Sequence, residues 1–283
     1  MVGDTIEAVA RAARAKSTLL EASLTRYFVL AMLAGAYVGL GIVLIFAIGA
    51  PLAAAQSPFL KLAMGASFGV ALTLVVFAGS ELFTGNALVL AVGLFDGSTS
   101  VKQLAGIWAW SYLGNLAGSL ALAWLVASSG VLGGDPQRAF VETTATAKMG
   151  LAFGPAIVRG ILCNWLVCLA IWCSLRTTSD TAKLGLIFWC LFAFIGAGFE
   201  HSVANMTLLG IALFQQHGEA VSWMGYLGNL VPVTIGNAIG GALFVGGLYW
   251  FSARGLSFAA RPSVAPDPEP ALVPAAAVVA EAR

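Results

Sequence analysis

The sequence has few charged side chains. Asp, Glu, Lys and Arg make up only 10% of its 283 residues, whereas 59% of the residues are apolar. A soluble domain carries roughly a quarter charged residues, so this composition predicts an integral membrane protein. The net charge is only +1. The chain therefore lacks the excess of positive charge with which nucleic-acid-binding proteins contact phosphates. The composition therefore excludes a general nucleic-acid binder.

Histidine and cysteine are scarce, with two and four residues respectively. Cys163, Cys168 and Cys173 recur in one apolar run without Cys-x-x-Cys spacing, and Cys190 stands apart from them. This pattern lacks the ligand spacing of metal sites, so we expect buried packing residues, with no metal and no cofactor. Residues 1–26 contain no long apolar core, and they therefore do not predict a cleavable signal peptide.

Six apolar runs are long enough to cross a membrane, which takes about 20 residues of helix. They cover residues 28–49, 59–95, 103–128, 156–175, 184–214 and 226–252. The second and fifth runs are too long for one crossing, and each contains a polar interruption. We therefore predict an all-α integral membrane protein with six transmembrane helices, of which the second and fifth are broken. Non-helical backbone is stable at membrane depth only where protein buries it or where it lines a cavity.

The two interruptions resemble each other. Residues 81–86 read Glu-Leu-Phe-Thr-Gly-Asn and residues 200–205 read Glu-His-Ser-Val-Ala-Asn. A second pair recurs at nearly the same offset, with Gly-Asn-Leu-Ala-Gly at 114–118 and Gly-Asn-Ala-Ile-Gly at 236–240. The Gly-x-x-x-Gly spacing lets helices approach closely. Matching broken segments indicate a transporter built from repeats, and three spans in each half require the two repeats to be inverted.

The chain is predicted to have three parts. Residues 1–26 form an amphipathic cytoplasmic helix at the membrane surface, and residues 27–252 form a channel domain with repeats at about 27–128 and 156–252. Residues 253–283, rich in Pro and Ala, cannot build a core and are predicted to be a disordered tail. Most Lys and Arg residues fall on one side of the membrane, which predicts that both termini are cytoplasmic. Four fall on the opposite side: Lys61, Arg138, Lys148 and Arg159.

His201 is the main candidate for chemistry, because an ionisable side chain within a membrane segment is costly and marks a functional site. Its imidazole could attract an anion, donate a hydrogen bond, or pass a proton to a bound weak acid. A structural histidine bonded to a neighbouring carbonyl is the alternative. Thr84, in the other interruption, could bond His201 or the solute, or could simply cap the loop. Glu81 and Glu200 would repel anions, so we expect them to face away and to accept backbone amide bonds that hold the breaks.

Residues 65–69 (Gly-Ala-Ser-Phe-Gly) match the Gly-x-Ser-x-Gly nucleophile pattern of hydrolases. Together with His201 as a base, Ser67 would suggest an intramembrane serine hydrolase. The pattern arises easily in a glycine-rich helix, however, and here it falls inside a helical run and not at a strand-to-helix turn. We therefore expect a protein that is not an enzyme, and we keep the hydrolase as a distant alternative.

Long strings in this sequence resemble the formate/nitrite transporter family, over nearly all of residues 25–252. They are Glu-Leu-Phe-Thr-Gly at 81–85, Gly-Asn at 114–115, Cys-Asn-Trp-Leu-Val-Cys-Leu-Ala at 163–170, Phe-Glu-His-Ser-Val-Ala-Asn-Met at 199–206 and Pro-Val-Thr-Ile-Gly-Asn at 232–237. The residues that follow Gly85 and Met206 look more like the nitrite channel branch than the formate branch. The resemblance implies an aquaporin-like protomer in a bacterial-type cytoplasmic (inner) membrane, assembled as a homopentamer with one path per protomer.

The resemblance also implies a role for particular residues. The substrate path would include the central histidine His201, its partner Thr84, the polar residues Asn164 and Asn205, and Lys148 in the outer vestibule. The constrictions would be formed by Leu72, Leu82 and Phe83 on the inner side and by Phe68 and Phe194 on the outer side. The implied function is transport of small monovalent anions and protons across the lipid bilayer. Nitrite is the first candidate, and formate or hydrosulfide are the rivals.

Overall fold

The structure is a computed structural model that describes residues 2–254, and helices are its only regular elements over that range. They are α1 (Val2–Ala22), α2 (Leu24–Ala54), α3 (Leu60–Ser67), α4 (Gly69–Phe77), α5 (Phe83–Phe95), α6 (Val101–Ser129), α7 (Gln137–Met149), α8 (Phe153–Ser174), α9 (Asp180–Ala197), α10 (Ser202–Phe214), α11 (Trp223–Ile239), a π-helical stretch (Gly240–Gly247) and α12 (Leu248–Arg254). Apart from its first two residues, which end α12, the predicted tail at 253–283 lies outside the described residues.

The helices form six membrane-spanning units. These are α2, the broken unit α3–α5, α6, α8, the broken unit α9–α10, and the continuous unit α11–α12. Within residues 2–254, five helical segments are long and apolar enough to cross a membrane. The unit α6 has 29 residues, but Ser111, Asn115 and Ser119 interrupt its apolar sequence. The predicted all-α membrane fold with six spans, the second and fifth broken, is confirmed.

Each break contains a glycine in the left-handed conformation, at its second residue in the first break and at its first residue in the second. The first break covers residues 78–82 between α4 and α5, and the second covers residues 198–201 between α9 and α10. Gly79 has a φ of 72° and Gly198 a φ of 78°, values that glycine adopts without steric cost because it has no Cβ. The glycines therefore end one half-helix and turn the chain toward the next at corresponding places in the two repeats.

Asn115 on α6 satisfies the backbone of the first break. Its Oδ1 accepts a hydrogen bond from the Phe83 N–H at 2.8 Å. Its Nδ2 donates to the Ala31 carbonyl of α2 at 2.8 Å and to the Glu81 carbonyl at 2.9 Å. Because Asn115 is fully buried, the amide supplies partners that neither water nor lipid could provide there.

Asn237 on α11 repeats this arrangement at the second break. Its Oδ1 accepts from the Ser202 N–H at 2.8 Å, and its Nδ2 donates to the Gly160 carbonyl of α8 at 2.8 Å and to the Glu200 carbonyl at 2.9 Å. Each asparagine thus ties the third span of its repeat to the first span and to the break. The matched bonds support the inverted repeat that the sequence predicts.

The Gly-x-x-x-Gly segments lie where helices cross most closely, as their spacing predicts. A Cβ added at Gly118 of α6 would collide with the Met32 carbonyl of α2, and one added at Gly236 of α11 would collide with the Ile157 carbonyl of α8. Both obstacles are backbone atoms, which cannot move aside as a flexible side chain could. The glycines are therefore required for the contact between the first and third spans of each repeat.

An amphipathic helix precedes each set of three spans, α1 in the first repeat and α7 in the second. Their inward faces carry the same residues at the same spacing: Val9, Ala13 and Lys16 in α1, and Val141, Ala145 and Lys148 in α7. The sequence analysis leaves the region of α7 as a connection, and it predicts that α1 rests on the membrane surface. In the structure, the apolar face of α1 packs against α5, α12 and α2. Each repeat is therefore longer than the three predicted spans.

We predict that Gly118→Ala lowers the unfolding temperature of the detergent-purified protein, because the new methyl group has no space. Overpacking of this kind typically costs about 1–3 kcal/mol. The matched control is Gly185→Ala in α9, where a Cβ meets nothing within 4 Å. This control should be neutral or slightly stabilising, because alanine is the better helix former. Equal unfolding temperatures for the two variants would contradict the close helix crossing.

Candidate functional site

Two cavities flank a small chamber, which shares lining residues with each of them. The first cavity, here called the Lys148 vestibule, has about 280 Å³ and is lined among others by Lys148, Glu200, Asn205 and Phe194. The second, the Lys16 vestibule, has about 290 Å³; its lining includes Lys16, Glu81, Asn86, Leu72 and Leu82. The chamber between them has about 10 Å³, which is roughly the volume that one water molecule needs.

Apolar side chains separate the chamber from both vestibules. Phe194 lines the chamber and the Lys148 vestibule, and it packs edge-on against Phe68 with ring centroids 5.6 Å apart. Leu72 and Leu82 line the chamber and the Lys16 vestibule. These four residues lie where the sequence analysis expects the two constrictions. His201 is the one polar residue in the lining of the chamber.

Phe83, the fifth residue expected at a constriction, lies elsewhere. It lines neither the chamber nor the two vestibules. Its ring packs edge-on against Trp108 and Tyr112 of α6, with centroids 6.1 and 5.2 Å apart. Phe83 is the first residue of α5, and the direction of that helix turns its side chain toward α6 while Leu82 faces the chamber. Phe83 therefore faces α6 in this structure, and its role in the inner constriction stays a prediction.

His201 caps the N-terminus of α10 with its own ring. The Ala204 N–H donates to Nδ1 at 3.1 Å, and Nε2 lies 3.2 Å from the Thr84 Oγ1. A backbone N–H can only donate, so Nδ1 acts as an acceptor and carries no proton. A neutral imidazole has one N–H, which here must be on Nε2 and point to Thr84. A second proton could be added only at Nδ1, and that would break the helix cap.

Two buried side chains, Asn164 and Cys168, bond the Thr84 carbonyl. The Asn164 Nδ2 donates to the Thr84 carbonyl at 3.0 Å and to the Asn237 carbonyl at 2.6 Å, and the Cys168 thiol donates to the Thr84 carbonyl at 3.4 Å. Asn164 lines neither the chamber nor either vestibule. In this structure Asn164 supports the first turn of α5, and Thr84 in that turn is likewise absent from the three linings. The place of both residues on the path, which the resemblance implies, stays a prediction.

Glu81 forms an ion pair that the sequence analysis misses. Both carboxylate oxygens accept from the Lys16 Nζ at 2.7 Å, and the Asn86 Nδ2 donates to Oε2 at 3.1 Å. The expected backbone amide donors are replaced by a lysine and an asparagine. The prediction that this carboxylate is bonded by amides of the break is therefore wrong, because the ammonium group of α1 reaches it.

Glu200 has the equivalent pair in the second repeat. The Lys148 Nζ donates to its two carboxylate oxygens at 2.8 and 2.7 Å, and the Asn205 Nδ2 donates to Oε2 at 2.7 Å. Asn205 also donates to the Asn229 Oδ1 at 2.8 Å. Lys148 thus lines the expected vestibule with its charge paired to Glu200, and Glu200 does not use the backbone donors predicted for it.

The residues that sequence reasoning overlooks are Lys16, Asn86, Cys168 and Asn229. Lys16 carries a signal, because its spacing from Val9 and Ala13 places it on the apolar face of α1, where a solvated lysine would not be expected. Cys168 and Asn229 lie within apolar runs without a comparable signal. Across residues 2–254, no cluster of three or more His, Cys, Asp or Glu side chains could hold a metal ion.

Comparisons with known proteins agree with this architecture. The model of the formate/nitrite transporter family matches residues 3–251. The chain is 45% identical over 255 residues to the nitrite transporter NirC of Escherichia coli (strain K12), with 89% of this chain and 92% of the relative covered. It also resembles a solved structure described as an FNT family ion channel, with a TM-score of 0.84, 44% identity, and 88% of this chain and 99% of that chain covered.

A second solved structure is described as a pentameric formate channel with formate bound. Its TM-score is 0.71 at 29% identity, and the alignment covers 81% of this chain and 97% of that chain. The range matched by the family model spans nearly all of the described helices, including the two breaks and the chamber between them. On this combined evidence, the chain belongs to the formate/nitrite transporter family.

Proposed function

We propose that this protein carries small monovalent anions through the chamber of each protomer, with nitrite as the first candidate and formate or hydrosulfide as rivals. The observation that carries the proposal is a chamber of about 10 Å³ whose lining is apolar except for His201. The similarity to the nitrite transporter NirC supports nitrite, and the formate-bound structure keeps formate as a candidate.

The size of the chamber limits the form in which a solute crosses. An anion must leave nearly all of its water behind, and a bare charge at membrane depth costs several kcal/mol. A weak-acid anion can avoid much of this cost by crossing with a proton, whereas chloride cannot hold a proton in water. The apolar constrictions therefore favour anions of weak acids, such as nitrite and formate.

The hydrogen bonds of His201 favour a donor role over a proton relay. Its Nε2–H, now directed to Thr84, can turn to an anion that displaces the Thr84 hydroxyl. Giving up that proton would leave an imidazolate unless Nδ1 were protonated first, and protonation there would release the Ala204 N–H. We therefore propose that His201 donates a hydrogen bond, and that the proton which neutralises the anion comes from vestibule water.

The assembly and the orientation follow from separate observations. The similarity to a pentameric channel supports a homopentamer with one path per protomer. The distribution of Lys and Arg supports a cytoplasmic (inner) membrane location with both termini inside. In this orientation the Lys16 vestibule opens to the cytoplasm and the Lys148 vestibule opens to the outside.

We predict that His201→Asn retains nitrite flux in proteoliposomes to within about tenfold of wild type. Asparagine is a favoured N-cap and also keeps an amide donor. His201→Leu, of similar size, loses both the cap and the donor. A hydrogen bond to a charged group is worth about 1.5–3 kcal/mol, so nitrite flux through His201→Leu should fall about 10- to 100-fold.

Matched unfolding temperatures would show that both variants are folded. If folded His201→Asn were as inactive as His201→Leu, the channel would need a titratable ring, and the proton relay would replace the donor role.

We also predict that nitrite and formate enter wild-type proteoliposomes together with protons. An internal pH dye should report acidification that scales with anion uptake and is faster than in protein-free liposomes, where only the undissociated acid crosses the lipid. Uptake of both anions without any coupled proton movement would contradict crossing as the neutral acid, while leaving an anion channel in place.

A solute panel separates the remaining alternatives. Chloride, water and glycerol should pass far more slowly than nitrite or formate, and the reverse order would favour a channel for uncharged solutes. The Ser67 hydroxyl donates to the Ala63 carbonyl at 2.8 Å, whereas the His201 ring nitrogens contact Ala204 and Thr84. Ser67→Ala should therefore leave nitrite flux unchanged. An activity that is lost in Ser67→Ala would favour the serine hydrolase.

A further inference from the structure

The two vestibules differ in net charge. The charged residues that line the Lys16 vestibule are Lys16 and Glu81, and their ion pair is neutral overall. The Lys148 vestibule is lined by Lys148 and Glu200, which form the equivalent pair, and by one further cation, Lys61. Lys61 therefore gives the lining of the Lys148 vestibule one unpaired positive charge. Among the described residues, the lining of the Lys16 vestibule contains no equivalent cation.

Lys148 is poorly placed to attract anions from solution. Its Nζ lies 2.8 and 2.7 Å from the two oxygens of Glu200, and its side chain is only 20% exposed. At a distance the field of the ammonium is cancelled by that of the carboxylate, because the two charges are nearly coincident.

Lys61 has the properties that Lys148 lacks. It is exposed, lies in the first turn of α3, and forms no salt bridge with any residue that the structure describes. Leu60, Met64 and Phe194 line the same cavity, and apolar walls of low dielectric constant concentrate the field of a nearby charge. At physiological ionic strength that field extends about 8 Å.

We propose that Lys61 concentrates anions in the Lys148 vestibule, ahead of the constriction formed by Phe68 and Phe194. This inference rests on the proposed transport of anions. A passive path cannot change the equilibrium distribution of the anion across the membrane. Lys61 instead raises the local concentration of the anion in the vestibule. It therefore lowers the external concentration that half-saturates uptake from this side. The maximal flux, which is set at the chamber, stays the same. Among the described residues no free cation lines the Lys16 vestibule, so this step belongs to the Lys148 vestibule.

The test measures initial nitrite uptake into proteoliposomes of uniform orientation, with nitrite added on the side of the Lys148 vestibule. At about 10 mM ionic strength the Debye length is about 30 Å. Lys61→Gln should then raise the half-saturating concentration about twofold, and Lys61→Glu about fourfold or more, with the maximal rate unchanged. In about 1 M of an inert salt the Debye length falls to about 3 Å, and the three proteins should become equal.

The matched control is Lys102→Glu, which reverses an exposed charge that lines a different surface groove with Ser17 and Glu21, and it should leave half-saturation unchanged. A second experiment uses Lys61→Cys with membrane-impermeant thiol reagents. A cationic reagent should restore the wild-type half-saturation, and an anionic reagent should reproduce Lys61→Glu. The same reagents should leave the wild type unchanged, because its cysteines are buried or half-buried.

The proposal is overturned if half-saturation at low ionic strength is the same in wild type, Lys61→Gln and Lys61→Glu. It is also overturned if any shift persists in 1 M salt, or if the two thiol reagents have the same effect. These outcomes leave the proposed anion transport intact. Failure of the wild-type protein to carry any weak-acid anion would instead remove the proposed function itself.

Discussion

Peptide groups at a helix break inside a membrane find no partner in the lipid, and this constraint governs the structure. Each break must take its hydrogen bonds from protein, and Asn115 and Asn237 provide them. One side-chain amide offers both an acceptor and two donors, so a single residue can satisfy three backbone groups. Because two of these groups belong to the break and the third to the first span of the repeat, the same bonds fix both the path and the helices around it.

The proposed functional centre lies where the two repeats differ. Leu82 and His201 each follow the glutamate of their break, and both line the chamber. Leucine can only close the chamber, whereas histidine caps α10 through Nδ1 and presents Nε2 to Thr84. The two repeats share the same backbone arrangement here. The replacement of leucine by histidine at one position therefore creates a polar group with a defined tautomer. Thr84 corresponds to Val203 in the other break, which is a second difference at the same place.

The sequence predicts the spans, the breaks and the close helix crossings, because these depend on local runs and on strings that recur in both halves. It does not predict α7, since a helix of 13 residues with a polar composition lacks the apolar run that identifies a span. The partners of Glu81 and Glu200 are also missed, because local patterns do not report which lysine reaches a carboxylate far away in sequence. Phe83 faces α6 and not the chamber for a geometric reason, which the sequence pattern does not reveal. Successive side chains at the start of a helix differ in direction by about 100°.

Neutral walls suit a path through which a solute must leave as readily as it enters. Conduction requires binding that is weak enough for release, and an unpaired lysine as little exposed as Lys16 or Lys148 would hold an anion more strongly than the exposed Lys61 does. The pairs Lys16–Glu81 and Lys148–Glu200 remove this trap, and each also ties an amphipathic helix to a break. Each pair is only partly exposed, so breaking it would leave a carboxylate with little solvent to compensate its charge, and we expect the pairs to persist while a solute passes. A single neutral donor, His201, then remains in the chamber, and it can offer a hydrogen bond without adding a charge that would have to be overcome on release.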